Sequence, residues 1–298
     1  MSGTAVGVDS AVAERPEPAV AEPRAEDPAV VRAGKRMPTL PGRPAGPAEP
    51  GAPWVGDPYA HALRTGRGPL FLRRLPHPDR PDRPNHPDGF GGFDEEHMLP
   101  LDMERWCAPP DAADMSVLHR CTGPVLDVGC GPGRMVAALA ARGVPALGVD
   151  LSRDAVKRTR RSGGAAVRRS AFDRLPGEGR WGTVLLMDGN IGIGGDPAAL
   201  LRRMRELVAP GGRLLAEAAP QDVDQRLTVH VEDTHGHHGR PFPWARLGTT
   251  ALLDAADSAG WILTGRWTAE GRPFAELRRR RAHHPDAQPP ITERSHHS

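Results

Sequence analysis

Residues 125–134, Val-Leu-Asp-Val-Gly-Cys-Gly-Pro-Gly-Arg, decide how this 298-residue chain folds. Val125, Leu126 and Val128 fit a strand covered on both faces. Gly129, Gly131 and Gly133 then permit backbone conformations, and a close ligand approach, that a Cβ would block. The stretch from Met135 to Arg142 reads as a helix whose free N–H groups face that turn. Strand, bare turn and helix N-terminus together make a cradle for a polar ligand.

The next segment narrows the ligand. Val144 to Leu151 (VPALGVDL) reads as a second strand ending in Asp150. An acid at that place accepts hydrogen bonds from ribose hydroxyls, so the ligand reads as a nucleoside. A dinucleotide turn would want its third glycine one residue later, where Arg134 stands. Asp127, two residues before the first glycine, would repel a pyrophosphate but suits the ammonium of an amino acid.

An Asp-x-Gly-x-Gly-x-Gly turn followed by a strand-end acid resembles the S-adenosyl-L-methionine (SAM) site of class I methyltransferases. The resemblance implies an α/β fold, a doubly wound, seven-stranded, mostly parallel sheet with an antiparallel C-terminal strand. It also implies that Asp127, Gly129, Cys130, Gly131 and Gly133 hold the methionine part of SAM, and that Asp150 and Leu151 hold the ribose. Further matches continue to about residue 281. Trp181 to Asp188 reads as a fourth strand, and Asp196-Pro197 as an N-cap followed by a first-turn proline. Leu200, Leu201, Met204, Leu207 and Val208 fall on one helical face before a Pro-Gly-Gly stop and a fifth strand at Leu214 to Glu217. Thr249 to Ala259 reads as a helix, with Trp261 to Thr268 and Pro273 to Arg278 as a hairpin around Glu270-Gly271. The segment Asp188 to Pro197 (DGNIGIGGDP) is similar to one bacterial subgroup of the family.

One stretch departs from the family. Many members carry, after the third strand, an acid that reads the adenine amino group; here that place falls on Ser170 or Ala171. Ala171 and Phe172 are then the expected adenine neighbours, and Asp173 substitutes only if the loop shifts.

For catalysis, Asp188 stands at the end of the fourth strand, where such sheets bind ligands, and by resemblance faces the transferred methyl group. Asp188 and Asn190 also read as a turn satisfying only local backbone groups. His230, His235, His237 and His238, with Glu232 and Asp233 among them, fall in a region that borders the acceptor pocket in the family. His230 or Asp188 is the expected general base. Gly236 and Gly239 point to a mobile loop, and no metal is expected. The basic run of Arg153, Lys157, Arg158, Arg160, Arg161, Arg168 and Arg169 has no interleaved aromatic, so it reads as a solvated face rather than an RNA surface.

Composition sets the frame. Residues 1–55, rich in Pro, Ala, Glu and Gly, are expected to be disordered, as is the tail from 282 to 298. Residues 56–110 read as an N-terminal cap with a Pro/Asp/Arg loop at 76–91, and residues 111–281 as the SAM-dependent methyltransferase domain. Tyr59, Phe71, Phe93 and Trp106 either pin that cap or line a lid. The start of the chain lacks a secretory pattern, no apolar run approaches the ~20 residues of a membrane helix, and Cys107, Cys121 and Cys130 lack metal spacing. A cytoplasmic protein with reduced thiols is expected. The net charge of +2 gives no attraction to nucleic acid. The reading is therefore a methyltransferase with a small-molecule acceptor, binding neither nucleic acid nor membrane. Two alternatives stay open: a non-catalytic SAM-binding scaffold on the same fold, and a nicotinamide-dependent dehydrogenase, which would need the glycine that Arg134 replaces.

Overall fold

The apolar strands forecast around the glycine turn line up side by side in the computed structural model, which describes residues 58–76 and 98–280. The expected disordered tails, nearly all of the 76–91 loop, and Phe93 lie outside the described residues. In the segment before the turn, helix α1 (Tyr59–Thr65) leads to strands β1 (Leu70–Arg74) and β2 (Met98–Leu101) and helices α2 (Met103–Cys107) and α3 (Ala112–Leu118). Then come β3 (Val125–Val128), α4 (Arg134–Ala141), β4 (Ala146–Asp150), α5 (Arg153–Arg161), β5 (Ala166–Arg168), β6 (Trp181–Leu186), α6 (Pro197–Leu207) and β7 (Val208–Glu217). The chain ends in β8 (Asp224–Asp233), β9 (Phe242–Leu247), α7 (Thr249–Ser258), β10 (Trp261–Ala269) and β11 (Arg272–Arg279).

The main sheet has seven strands in the order β10-β11-β7-β6-β3-β4-β5. Pairs from β7 to β5 are parallel, while β11 runs antiparallel to β7 and β10 antiparallel to β11. This is the doubly wound sheet that the resemblance implied. β3 sits between β4 and β6, so the strand order reverses around it and the crevice at its carboxyl end is where such sheets take ligands. All four β3 residues are buried. Leu126 and Val128 pack with Val184, Leu186, Leu200 and Leu214 on one face, Val125 with Val117, Met135, Leu139 and Phe274 on the other.

Local signals behave as local physics dictates. The Asp196 carboxylate accepts from Ala199 N at the start of α6, with Pro197 next. Glu270 and Gly271 both take positive φ, 51° and 73°, in the tight turn of the C-terminal hairpin. Of the basic run, Arg158 donates to Leu63 O, Arg160 to Ala166 O and Arg168 to Leu151 O, so these three pin backbone carbonyls.

A second sheet departs from expectation. It has four antiparallel strands in the order β2-β1-β8-β9. Its first two strands come from the segment before the glycine turn and its last two from the segment after β7. Of the histidine-rich region, expected as a mobile loop, His230, Glu232 and Asp233 lie in β8, while His235, His237 and His238 follow it in a turn with Gly236 and Gly239. Alternation along β8 buries Val229 and Val231 against Leu70, Leu72 and Phe242.

Candidate functional site

The glycine turn is held open by side chains around it. Gly131 N donates to Asp150 Oδ2 at 2.9 Å, and Ser152 N donates to Asp150 Oδ1 at 2.7 Å, so the strand-end acid ties β4 to the turn. Burial pushes the Asp150 carboxyl up to about 6 against those two backbone N–H groups. Asn190 Nδ2 donates to both Val128 O and Gly129 O at 2.9 Å. A Cβ on Gly129 would stand 2.6 Å from that amide, so only glycine lets Asn190 close over the turn.

The 190–195 stretch is a junction. A Cβ on Gly192 would lie 2.8 Å from the Trp244 ring on β9, and one on Gly194 would lie 2.8 Å from the Phe172 ring. These close approaches clip the second sheet and the loop after β5 onto the carboxyl edge of the first. Between them lies a cavity of about 660 Å³, within the ~300–1,000 Å³ typical of small-molecule sites. It is bordered by Gly129, Cys130, Gly131, Asp150, Leu151, Ala171 and Phe172 from the first sheet's turns, and by Leu72, Leu99, Leu101, Trp106, Phe242 and Trp244 from the second sheet and α2. Phe172, which borders it, is 45% exposed.

At one end of the cavity three arginines and four acids interlock. Arg134, first residue of α4, donates to Asp114 at 2.6 and 2.9 Å and to Asp188 at 2.7 and 3.0 Å. Arg272 donates to Glu217 at 2.8 and 2.7 Å and reaches Asp111, Asp114 and Asp188. Arg105 donates to Asp188 at 2.8 Å. Glu217 also accepts from Asp188 N, holding Asp188 at a φ of 54° that few non-glycine residues adopt. Burial opposes ionisation of Asp188, but the charge and hydrogen bonds of Arg134, then Arg105 and Arg272, outweigh it and hold the carboxyl well below the usual range. Two buried donors at this end, Arg105 Nη1 and Trp106 Nε1, lack a hydrogen-bond partner among the described residues, although the Asp111 carboxylate stands 3.9 Å from Arg105 Nη1.

Comparison with known proteins decides the family. A family model described as a methyltransferase domain matches residues 101–255, more than half of the chain. The chain belongs to this methyltransferase-domain family. Uncharacterized proteins of Mycobacterium tuberculosis (Rv2003c) and Mycobacterium bovis (Mb2026c) are each 31% identical to it over 152 residues, 50% of this chain and 51% of theirs. The chain thus spans about half the length of the curated relatives it matches. Among solved structures, a SAM-dependent methyltransferase from Bacteroides fragilis, in complex with S-adenosyl-L-homocysteine, superposes with a TM-score of 0.58 at 18% identity. That match covers 74% of this chain and 92% of the other, and it shows a shared fold.

Within the methyltransferase domain, eight of the ten expected cofactor residues border the cavity: Gly129, Cys130, Gly131, Asp150, Leu151, Ala171, Phe172 and Asp188. Asp127 and Gly133 do not. Asp127 points to the β3 face beneath α3 and α4, 3% exposed, where burial pushes its carboxyl up to about 7 against the opposing charge of Arg134. A contact between Asp127 and an amino-acid ammonium therefore has no support in this geometry. Gly133 serves packing, since a Cβ there would stand 2.4 Å from Thr159.

Neither expected general base is placed for that role. Asp188 is saturated by arginines. His230 does not border the cavity: it sits opposite Arg73 in the sheet, bonds Glu232 Oε2 at 2.8 Å and stacks on His238 at 4.5 Å. The period-two alternation that turns Val229 and Val231 inward turns His230 away. Asp173 also turns away from the cavity, accepting from Ser170 N. Asp233, His235 and His237 bring one ligand atom each within 4.8 Å of one another, but they border a separate cleft beside α1. Tyr59, the single tyrosine, and Trp106 do border the main cavity, whereas Phe71 does not. Burial first, then the charge of Asp150, keep the Tyr59 phenol protonated. No helix among the described residues is long and apolar enough to cross a membrane.

What sequence reasoning missed is the ion cluster and the second sheet. Arg134 was legible only as a missing glycine. Nothing in its spacing named Asp114 or Asp188 as its partners.

Proposed function

We propose that this protein is a SAM-dependent methyltransferase acting on a small-molecule acceptor. The observation that carries the reading is a bare-backbone turn set between a strand-end carboxylate and two buried donors with no hydrogen-bond partner among the described residues. On this reading Asp150 receives the ribose hydroxyls and Phe172 covers the adenine together with Ala171. Arg105 Nη1 and Trp106 Nε1, which need an acceptor, receive the amino-acid carboxylate. Gly129 and Gly131 let the ligand lie against main chain.

When bound, SAM supplies a methyl group already activated by its sulfonium. The protein's part is positioning and exclusion of water. Among the described residues bordering the cavity there is no histidine, and Asp188 and Glu217 are both consumed by arginines. Calorimetry on the full chain, with a chelator present, tests the cofactor reading: SAM is expected to bind one per chain, and tight NADH binding with no SAM binding overturns it. Transfer from methyl-tritiated SAM to acceptor pools then separates an enzyme from a SAM-binding scaffold.

A further inference from the structure

Resting on the methyltransferase reading, we infer that the acceptor is an amphipathic molecule whose apolar body lies along Leu72, Phe242 and Trp244 and whose oxyanion is received by Arg246. Four arginines border the cavity: Arg105, Arg134, Arg169 and Arg246. Arg134 is committed to the acids around Asp188, and Arg105 to Asp188 and, on the proposed function, to the cofactor's carboxylate. Arg169 is exposed and stands beside Ser170, on the adenine side of the cavity. Arg246 is different. It is half-buried, and no carboxylate among the described residues lies within ion-pair distance of it. Its fork is held by two neutral carbonyls, Gln225 Oε1 at 3.2 Å from Nη1 and Gln221 Oε1 at 2.9 Å from Nη2.

A guanidinium carries five N–H donors in a plane, and these two bonds leave most of them unused. Burial without a countercharge works against the cation, and the shift of Arg246 is downward with burial as its cause. Holding a cation this way is costly unless the opposite charge arrives with a ligand. The glutamines orient the fork without neutralising it.

The neighbours supply the rest of the specificity. Phe242, Trp244 and Arg246 alternate along β9 and so share one face of the second sheet. Phe242 meets Trp244 edge-on at 6.0 Å, and Phe242 lies opposite Val229, one alternation from the Val231–Leu72 pair. The wall thus grades from aliphatic through aromatic to cationic. A molecule matching that grade has an apolar body and an anionic end. Carboxylate and phosphate both suit the planar fork.

The test uses three probes sharing one apolar body: 4-phenylbutyrate, 4-phenylbutyl phosphate and the uncharged 4-phenylbutyramide. Binding is measured by calorimetry on the full chain, with and without SAM, for the native protein and for Arg246→Gln and Arg246→Lys. The expectation is that at least one anion binds about tenfold or more tightly than the amide, the scale of a charge-assisted contact. Arg246→Gln abolishes that preference, Arg246→Lys keeps part of it, and SAM affinity stays unchanged in both, which also reports an intact fold. The relative strength of the two anions distinguishes a carboxylate from a phosphate acceptor. Equal binding of anion and amide, no binding of either anion at millimolar concentration, or a preference that survives Arg246→Gln overturns the inference. Loss of SAM affinity in Arg246→Gln overturns it too, by moving Arg246 to the cofactor. The probes report without SAM, so a protein that bound no SAM would sink the cofactor reading separately.

Discussion

Replacing Arg134 by methionine should cost about 3 kcal/mol of stability at neutral pH, the lower end of the ~3–5 kcal/mol for breaking a buried ion pair. The side chain is 5% exposed and its main partner, Asp114, 0% exposed, so water cannot replace the lost bonds. Four hydrogen bonds disappear, two to each acid. The loss is cushioned, because Asp114 keeps Arg272 at 3.1 Å and Asp188 keeps Arg105 at 2.8 Å. At ~2–4 °C per kcal/mol for a domain of this size, the melting temperature falls by ~6–12 °C. The pH dependence follows from the sign of the shifts. In the native protein the Arg134 pair holds Asp114 and Asp188 below their ordinary pKa, in spite of burial. That contribution is complete above the unfolded value of ~3.9 and is lost as pH falls through the folded values. The gap between native protein and variant is therefore full at pH 7 and narrows below about pH 4. Urea unfolding followed by circular dichroism at pH 7 and at acid pH measures both numbers. A gap under about 1 kcal/mol at pH 7, or one that widens on acidification, would refute the view that Arg134 neutralises two buried acids.

Asp150→Ala should weaken SAM by ~10–100-fold through lost charge-assisted bonds and a loosened Gly131 turn, while Asp173→Ala changes it little; isothermal calorimetry compares them, and equal losses would mean the adenine loop is misread. His230→Ala should leave turnover within about threefold, and a drop of ~10²-fold or more with SAM binding intact would reinstate it as the base. Asp127 carries a raised pKa of about 7 caused by burial, so the folded state holds a proton that the unfolded chain releases near ~3.9. Asp127→Asn should then gain stability relative to the native protein as pH rises from 4 to 7, and a relative gain that is flat across that range in urea titrations counts against the buried acid.

The elements legible from sequence are those written in contiguous windows. Gly129, Gly131 and Gly133 with their flanking apolar residues specify a strand, turn and helix because the backbone geometry of each residue is a local matter. The same holds for Asp150 at its strand end, the Asp196-Pro197 helix start and the Glu270-Gly271 hairpin. Through the family resemblance these implied the seven-stranded sheet, and the order of strands and helices agrees with the place of its crevice. The tertiary structure alone decided which side chains meet. Leu72 pairs with Val231 and Arg134 with Asp188, contacts that no spacing rule predicts because charge and hydrophobicity carry no address. Alternation says that His230 and Val231 face opposite ways, and likewise Asp127 and Val128. It does not say which face is inward until the strand is paired and its register set. The burial that makes Asp127 and Arg246 informative is thus a property of the assembled fold: it depends on the layers brought together over each side chain.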